Sequence, residues 1–435
     1  MTKPQYIYDL DDRPPLRRTL LYGLQWTIIM FPALIIVATL GGEALHMDAG
    51  AGVRFFQLTL LTSGVFTTIQ SLWGHRYPVL EGPATALLLS FIILAPYGIE
   101  TIQGGTILGG ALLMLLVLWG KLHKVIAYAT PNVVGVILML ISFSLLPHLM
   151  HSMIGANGAH PNGEASTFSI TLFLVILMAT SAYWLTGFLK TVALLIGMFL
   201  GTMIFYLLDM PDLQPLLTAR WISVPSPWLS SLPHFYWPSL IAFTSSYLAV
   251  AVNSLGSLHG IANVTDAERL PKAISRGIFI NGVAGICCGL LGIVGMVSYS
   301  TSPGLIVANR VASRYAVTCC GVILIVAALA PKLAALLALV PNPVVGSALC
   351  VAMGGQVGVG LSIVSSSGMT SRDYFVVGLP VLLGTLVGFL PSAFMASMPA
   401  GAQVFLGNGL IVGIFLVLLL EHVFMRKKNL TEGGK

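Results

Sequence analysis

Apolar runs of about 20 residues, parted by short polar stretches, recur from Leu20 to Met425, and a helix of that length crosses the ~30 Å hydrocarbon core of a bilayer. This period predicts spans at 20–40, 53–73, 79–97, 104–121, 131–150, 167–188, 190–208, 238–262, 273–297, 299–313, 315–331, 341–361, 371–389 and 403–425. The fourteen runs predict an all-α polytopic membrane protein and leave no stretch large enough for a soluble domain. A segment at 1–19, one transmembrane domain at 20–425 and a tail at 426–435 are expected. Composition agrees: of 435 residues 56% are hydrophobic and 8% charged, with a mean hydropathy of +0.92, more apolar surface than a soluble core uses.

Lysine and arginine orient the spans, because loops on the cytoplasmic side are enriched in them. With both termini inside, 18 of the 21 fall on that side and only Arg54, Arg220 and Lys332 on the other. A wrong span count in the middle would scramble that alternation. The opening MTKPQYIYDLDDRPPLRRTL is too long and acidic before its first apolar run for a cleaved signal, so a retained first span is expected. The pI of about 9.1 follows from the orientation and calls for no nucleic-acid partner. Cys287, Cys288, Cys319, Cys320 and Cys350 all fall in apolar runs, as small core side chains do. No HExxH, no GxSxG and no clustered His/Cys/Asp set occurs, so no enzyme, cofactor or metal is expected. The expected location is a plasma membrane, a bacterial inner membrane, with both ends cytoplasmic.

Two runs are interrupted. LEGPAT at 80–85 and STSPGL at 300–305 place Pro and Gly in mid-membrane, where irregular backbone survives only when covered by protein or a water-filled cavity. TPNVVGVILML at 130–140 resembles VPNPVVGSALCV at 340–351, and the offsets agree (303 − 83 = 220 and 341 − 131 = 210). Seven spans per half is an odd number, so the second half is inverted relative to the first. Helical composition resumes after each break, with Pro83 and Pro303 expected in the opening turn. Two short helices would then aim their positive N-terminal ends at one cavity. The extended residues before them, 79–82 and 299–302, would offer free backbone groups to a flat heterocycle.

Glu81 is the only acid of fifteen deep in a span, where a charge costs ~2.5–3.5 kcal/mol on insertion scales unless it is partnered, protonated or out of the lipid. It either faces a cavity and serves a ligand or caps the helix that follows. Asn253 and Ser257 share a helix face at i and i+4 beside Gly256 and Gly260. That face is either a binding face or a helix contact. Trp26 either stacks on a base or packs.

Four of these stretches resemble the nucleobase–ascorbate transporters, which include bacterial uracil and xanthine permeases. GLQWTIIMF resembles the first-span Gln-His motif, with Gln25 kept and Trp26 in place of His. EGPAT resembles the third-span Gln-Gly-Thr-Ser-Phe motif, with Glu81 where Gln is usual and Thr85 at the aromatic position. VNSLGSLHGIAN resembles the eighth span, with Asn253 and Ser257 at positions that typically hold an acid and a polar residue or His. TSPGLIVANR resembles the tenth-span signature and keeps Gly304 and Arg310, with Thr301, Ser302 and Asn309 beside them.

The resemblance implies a core of spans 1–4 and 8–11, near 20–121 and 238–331, and a gate of spans 5–7 and 12–14, near 131–208 and 341–425. It also implies short extended segments in spans 3 and 10 and a homodimer through the gate. The implied activity is proton-coupled permeation of a nucleobase such as a purine, xanthine, urate or uracil by alternating access. The implied substrate-binding residues are Gln25, Trp26, Glu81, Gly82, Ala84, Thr85, Asn253, Ser257, Thr301, Ser302, Gly304 and Met353. Because the acidic positions of the eighth and tenth spans are neutral here, the proton falls to Glu81. The competing readings are an anion carrier of the sulfate-permease type using the same helix ends, and an uncoupled facilitator.

Overall fold

The computed structural model describes residues 6–122, 127–156, 161–210, 212–227, 232–366 and 368–426. Of the expected features, the first five residues of the N-terminal segment, Lys124 and the tail beyond Arg426 lie outside them. The first half of the chain runs α1 (Leu16–Ala44), α2 (Ala49–Leu72), β1 (Glu81–Pro83), α3 (Thr85–Leu94), α4 (Ile99–Leu118), α5 (Pro131–Ser144), α6 (Leu146–Met153), α7 (Ala165–Trp184) and α8 (Ala193–Leu208). The second runs α9 (Trp237–Val264), α10 (Leu270–Leu291), β2 (Met296–Ser298), α11 (Ser302–Asn309), α12 (Arg314–Ala328), α13 (Pro331–Ala338), α14 (Asn342–Ser365), α15 (Ser371–Val387) and α16 (Gly409–Leu419), with a few shorter helices of one or two turns between.

Local chemistry sets the ends. Asp48 accepts the Ala51 N–H at 2.7 Å to start α2, Thr130 caps α5 with Pro131 in its first turn, and Thr370 with Asp373 forms a capping box on α15. Several expected spans are less regular than the apolar pattern suggests. The run 131–150 is divided at Leu145, where Pro147 cannot donate to a continuing helix. The run 403–425 is divided at Gly407 and Asn408, whose side chain restarts the helix by accepting from Leu410 and Ile411. The helix α12 runs into α13 through a bend of 93°. Among the described residues, seven stretches are long and apolar enough to cross a membrane as one continuous or gently broken helix, and the protein is a multi-pass helical membrane protein.

Two helix crossings match each other. A Cβ added at Gly64 of α2 would lie 2.6 Å from the Gly321 carbonyl oxygen of α12, and one at Gly321 would lie 2.7 Å from that of Gly64. Between α4 and α10, Gly110 and Gly282 stand in the same relation at 2.8 Å each way. Small residues let backbones close in this way where lipid supplies no hydrophobic drive. The offsets of the two matches (282 − 64 = 218 and 321 − 110 = 211) follow those of the sequence repeat.

The N-terminal segment is stitched to the end of the break in the second half. Ile7 N–H donates to the Arg310 carbonyl at 2.8 Å, Ala312 N–H to Tyr8 at 2.9 Å and Arg314 N–H to Leu10 at 3.1 Å, giving a parallel bridge of Tyr8 with Val311. Asp11 pairs with Arg269 at 2.6 Å and Arg314 at 2.7 Å. Those guanidiniums, Arg269 foremost, hold the Asp11 carboxyl below its ordinary value.

Candidate functional site

The two breaks meet as one antiparallel ribbon, with Glu81 opposite Ser298, Gly82 opposite Val297 and Pro83 opposite Met296. Three-residue strands persist at this depth because every edge is covered. Ala84 N–H donates to Gly295 and Tyr299 N–H to Leu80, at 2.8 and 2.9 Å. On the outer edge of β1, Thr67 Oγ1 serves both the Glu81 N–H (3.1 Å) and its carbonyl (3.2 Å). On the outer edge of β2, Ser257 Oγ donates to the Ser298 carbonyl at 2.8 Å. Buried backbone groups left unpaired would cost about 1–3 kcal/mol each, so α2 and α9 fix the ribbon in place.

This pairing corrects three expectations. The second extended segment is Met296–Ser298, not 299–302, because its register is set by the partner strand; Tyr299 to Thr301 turn instead into α11. Pro83 lies in β1 and α3 begins after it, with Ala84 as its N-cap, whereas Pro303 does sit in the first turn of α11. The backbone edges are spent on one another and on hydroxyls rather than left for a heterocycle.

Glu81 does not face open space. Its side chain is fully buried, 3.3 Å from His75 Nε2, and Ser298 Oγ lies 2.5 Å from the same Oε1. Cross-strand neighbours on a ribbon project to one side, and that side faces α2 and the loop after it. Behind the pair a polar chain continues: Gln70 donates to Asn281 at 2.8 Å and Asn281 to Ser254 Oγ at 2.8 Å.

The remaining expected residues divide into two groups. Gly82, Ala84, Ser257, Ser302, Trp26 and Met353 are buried. Ser302 Oγ accepts the Leu80 N–H at 3.2 Å, a Cβ on Gly82 would lie 2.3 Å from the Tyr299 hydroxyl, and Trp26 at 2% exposed is packed. Gln25, Thr85 and Asn253 are half-buried, and Thr301 and Gly304 are exposed. A Cβ at Gly256 or Gly304 would meet nothing within 4 Å, so this face of α9 and α11 borders open space. A cavity of about 440 Å³ lies between α9 (Leu248, Val252) and the helices α5 and α16; its lining is apolar.

His75, Thr67 and Ser298 are site residues that the sequence pattern did not single out. A signal was present in α2, where Thr59, Thr62, Ser63, Thr67 and Gln70 recur at helical spacing along an apolar run and all are buried.

Residues 17–393 match the xanthine/uracil permease model, whose description is "Permease family". The chain is 28% identical over 420 residues to the uric acid permease PucK of Bacillus subtilis, covering 94% of this chain and 96% of that one. It is 27% identical over 455 residues to the xanthine permease XanP of Escherichia coli K12, covering 98% and 96%. Among solved structures it resembles the murine anion transporter Slc26a9 in the inward-facing state, with a TM-score of 0.62 at 12% identity over 94% of this chain and 69% of that one. It also resembles the transmembrane domain of the cyanobacterial bicarbonate transporter BicA, with a TM-score of 0.52 at 14% identity over 93% and 97%. At such identities the likeness is one of fold. The match across residues 17–393 establishes that the chain belongs to this permease family.

Proposed function

We propose that the protein is a secondary active permease for a nucleobase, a purine such as xanthine or urate ahead of uracil, coupled to protons and working by alternating access. The observation that carries this reading is the meeting of two mid-span breaks at one ribbon in a chain of the permease family. Broken helices in matching halves are where such carriers bind their cargo. The purine class is favoured by relatives named for uric acid and xanthine along nearly their full length. In this reading the half-buried and exposed residues Gln25, Thr85, Asn253, Thr301 and Gly304 touch the base, and the buried ones hold the ribbon behind them. The N-termini of α3 and α11 have no side-chain cap, and their positive ends suit carbonyl oxygens. No acid stands on α9 or α11, so the base is held there by neutral hydrogen bonds, and a wrong base leaves polar groups unpaired at about 1–3 kcal/mol each.

The architecture proposed with it has fourteen spans in two inverted halves, a core of α1–α4 with α9–α12 and a gate of α5–α8 with α14–α16. The exchanged glycine crossings support the inversion, and the charge pattern supports cytoplasmic termini in a bacterial inner membrane. A homodimer through the gate completes the proposal. Glu81 is its proton-coupling residue. A second reading, an anion carrier, is favoured by the neutral Asn253 and Thr301 beside two positive helix ends. A thermal-shift screen of purified protein separates them, since a specific ligand stabilises the native state. Stabilisation by urate, xanthine or uracil and none by bicarbonate or sulfate is expected; the reverse pattern refutes the nucleobase reading.

A further inference from the structure

Arg54, Arg220 and Lys332 are the cations that the charge pattern leaves on the side opposite the termini, where a translocated positive charge is disfavoured. They are far apart in the chain, and the fold brings all of them to one place. Arg54, near the start of α2, and Arg220, in the connection between α8 and α9, line a pocket of about 650 Å³. Pro331 lines it too, and Lys332 follows directly in the chain. The 93° bend between α12 and α13 carries its ammonium to 4.3 Å from the centre of the Trp221 ring, beside Arg220.

Hydrogen bonds hold this pocket in shape. Gln57 of α2, at 4% exposure, donates to the Ala328 carbonyl at 2.7 Å and reaches the Ser223 carbonyl at 3.5 Å, while Ser223 N–H donates to the Leu329 carbonyl at 3.0 Å. These bonds pin the connection between α8 and α9 across the ends of α2 and α12, so Arg220 and Trp221 are fixed beside the pocket. The short helix Gln214–Thr218 supplies another wall. Among the described residues one acid, Asp212, shares the lining, and its Oδ1 accepts the Gln214 N–H at 2.9 Å; the nearby Asp48 is occupied in capping α2. Arg54 and Lys332 are half-buried and Arg220 is exposed. The balance is positive, and a concave site of one sign focuses the field and concentrates counter-ions.

We propose that this pocket is an anion-binding antechamber on the face opposite the termini, which takes small oxyanions and gathers anionic urate ahead of its entry between core and gate. The gathering role rests on the permease reading; the anion site does not. Planar guanidiniums match the spread charge of an oxyanion or a urate ring, and Gln214, Thr218 and Ser226 add neutral partners in the same lining. The connection that carries Arg220 runs from α8 to α9, so the site lies where the proposed gate is joined to the core. The phosphate of a lipid headgroup shares this chemistry, and the choice between it and a dissolved anion falls to the experiment.

Trp221, 74% exposed beside the cations, reports on the site directly. Its emission, taken as the difference between wild type and Trp221→Phe in phosphatidylcholine nanodiscs at low ionic strength, is read with anionic iodide and neutral acrylamide as quenchers. Relative to free tryptophan, iodide is expected to quench several-fold more than acrylamide. Arg220→Gln combined with Lys332→Gln should remove that excess, Lys332→Arg should keep it, and inorganic phosphate should suppress it more than chloride at matched ionic strength. Equal quenching by both probes, or an excess that survives loss of the charges, overturns the anion site. An excess suppressed by phosphatidylglycerol in the nanodisc but not by phosphate gives the cations to lipid headgroups and overturns the dissolved anion. In proteoliposomes the double Gln variant should raise KM for urate several-fold with kcat unchanged and abolish its dependence on ionic strength, a dependence that hypoxanthine, a neutral purine, should lack in wild type. An unchanged urate KM overturns the gathering role. Absence of urate uptake by wild type would refute the permease reading and the gathering role with it, while the iodide result stands on its own.

Discussion

The two breaks share one ribbon and differ in almost everything around it. At the first, Glu81, Gly82, Pro83 and Ala84 are all buried, the hydroxyl of Thr67 holds both backbone groups of Glu81, and a strongly apolar α3 follows. At the second, Thr301, Gly304 and Val307 are exposed, α11 is only eight residues long, and it ends at Arg310 in the left-handed region with φ 55°. The N-terminal segment takes hold there. The two breaks thus supply paired backbone, and side chains divide the labour: the first break stores a buried acid, and the second presents a neutral face to open space.

The largest contrast should come from filling each break. Gly82→Val places side-chain atoms where the Tyr299 hydroxyl already stands, 2.3 Å from the first of them, and should cost about 1–3 kcal/mol or more by overpacking. Gly304→Ala meets nothing within 4 Å and should leave Tm unchanged while altering affinity for urate. Thermal unfolding of the two purified variants checks both, and equal losses would remove the distinction. A smaller effect is expected from hydroxyls. Thr67→Val strands a buried N–H and carbonyl at about 1–3 kcal/mol, whereas Thr301→Val, exposed and without a capping bond, should be close to neutral for stability.

The smallest concerns the clasp on the second break. Asp11 is half-exposed, so its pairs are screened and Asp11→Asn should cost about 1 kcal/mol or less. Arg269 and then Arg314 lower its carboxyl below the ordinary 3.8. A depressed carboxylate stabilises the fold fully above the unfolded value and loses that contribution as pH falls through the folded one. Asp11→Asn should therefore lower stability by that small amount at neutral pH and converge with wild type below about pH 4, flattening the acid limb of the stability profile. A variant that lost stability equally at every pH would show that the charge is not what Asp11 contributes.

The existence of the breaks was legible because Pro and Gly inside long apolar runs have few other uses. Their pairing was not, since β2 lies at Met296–Ser298 only by virtue of the strand across from it, and local residues carry no record of a partner 215 positions away, as Val297 is from Gly82 (297 − 82 = 215). Glu81 stood out by charge, yet its partner sits in GHRYP, a stretch that Arg76 marks as a loop. In the fold that loop turns back into the core, with Arg76 at φ 59° and His75 buried at 1% exposure. Half-buried and packed residues of α9 alternate within one turn, Asn253 half-buried and Ser257 at 1% exposed, a division that composition alone does not make.

In the proposed permease the proton belongs to the first break and the ligand to the second. Proteoliposomes containing wild type or Glu81→Gln, loaded with labelled urate for exchange or given an inward proton gradient for accumulation, test it in one preparation. Wild type should accumulate urate under the gradient, while Glu81→Gln should still exchange it but reach an inside-to-outside ratio of only about one, because an uncoupled carrier equilibrates its ligand. Accumulation by the Gln variant with unaltered pH dependence would rule out coupling through Glu81 and leave it a structural cap.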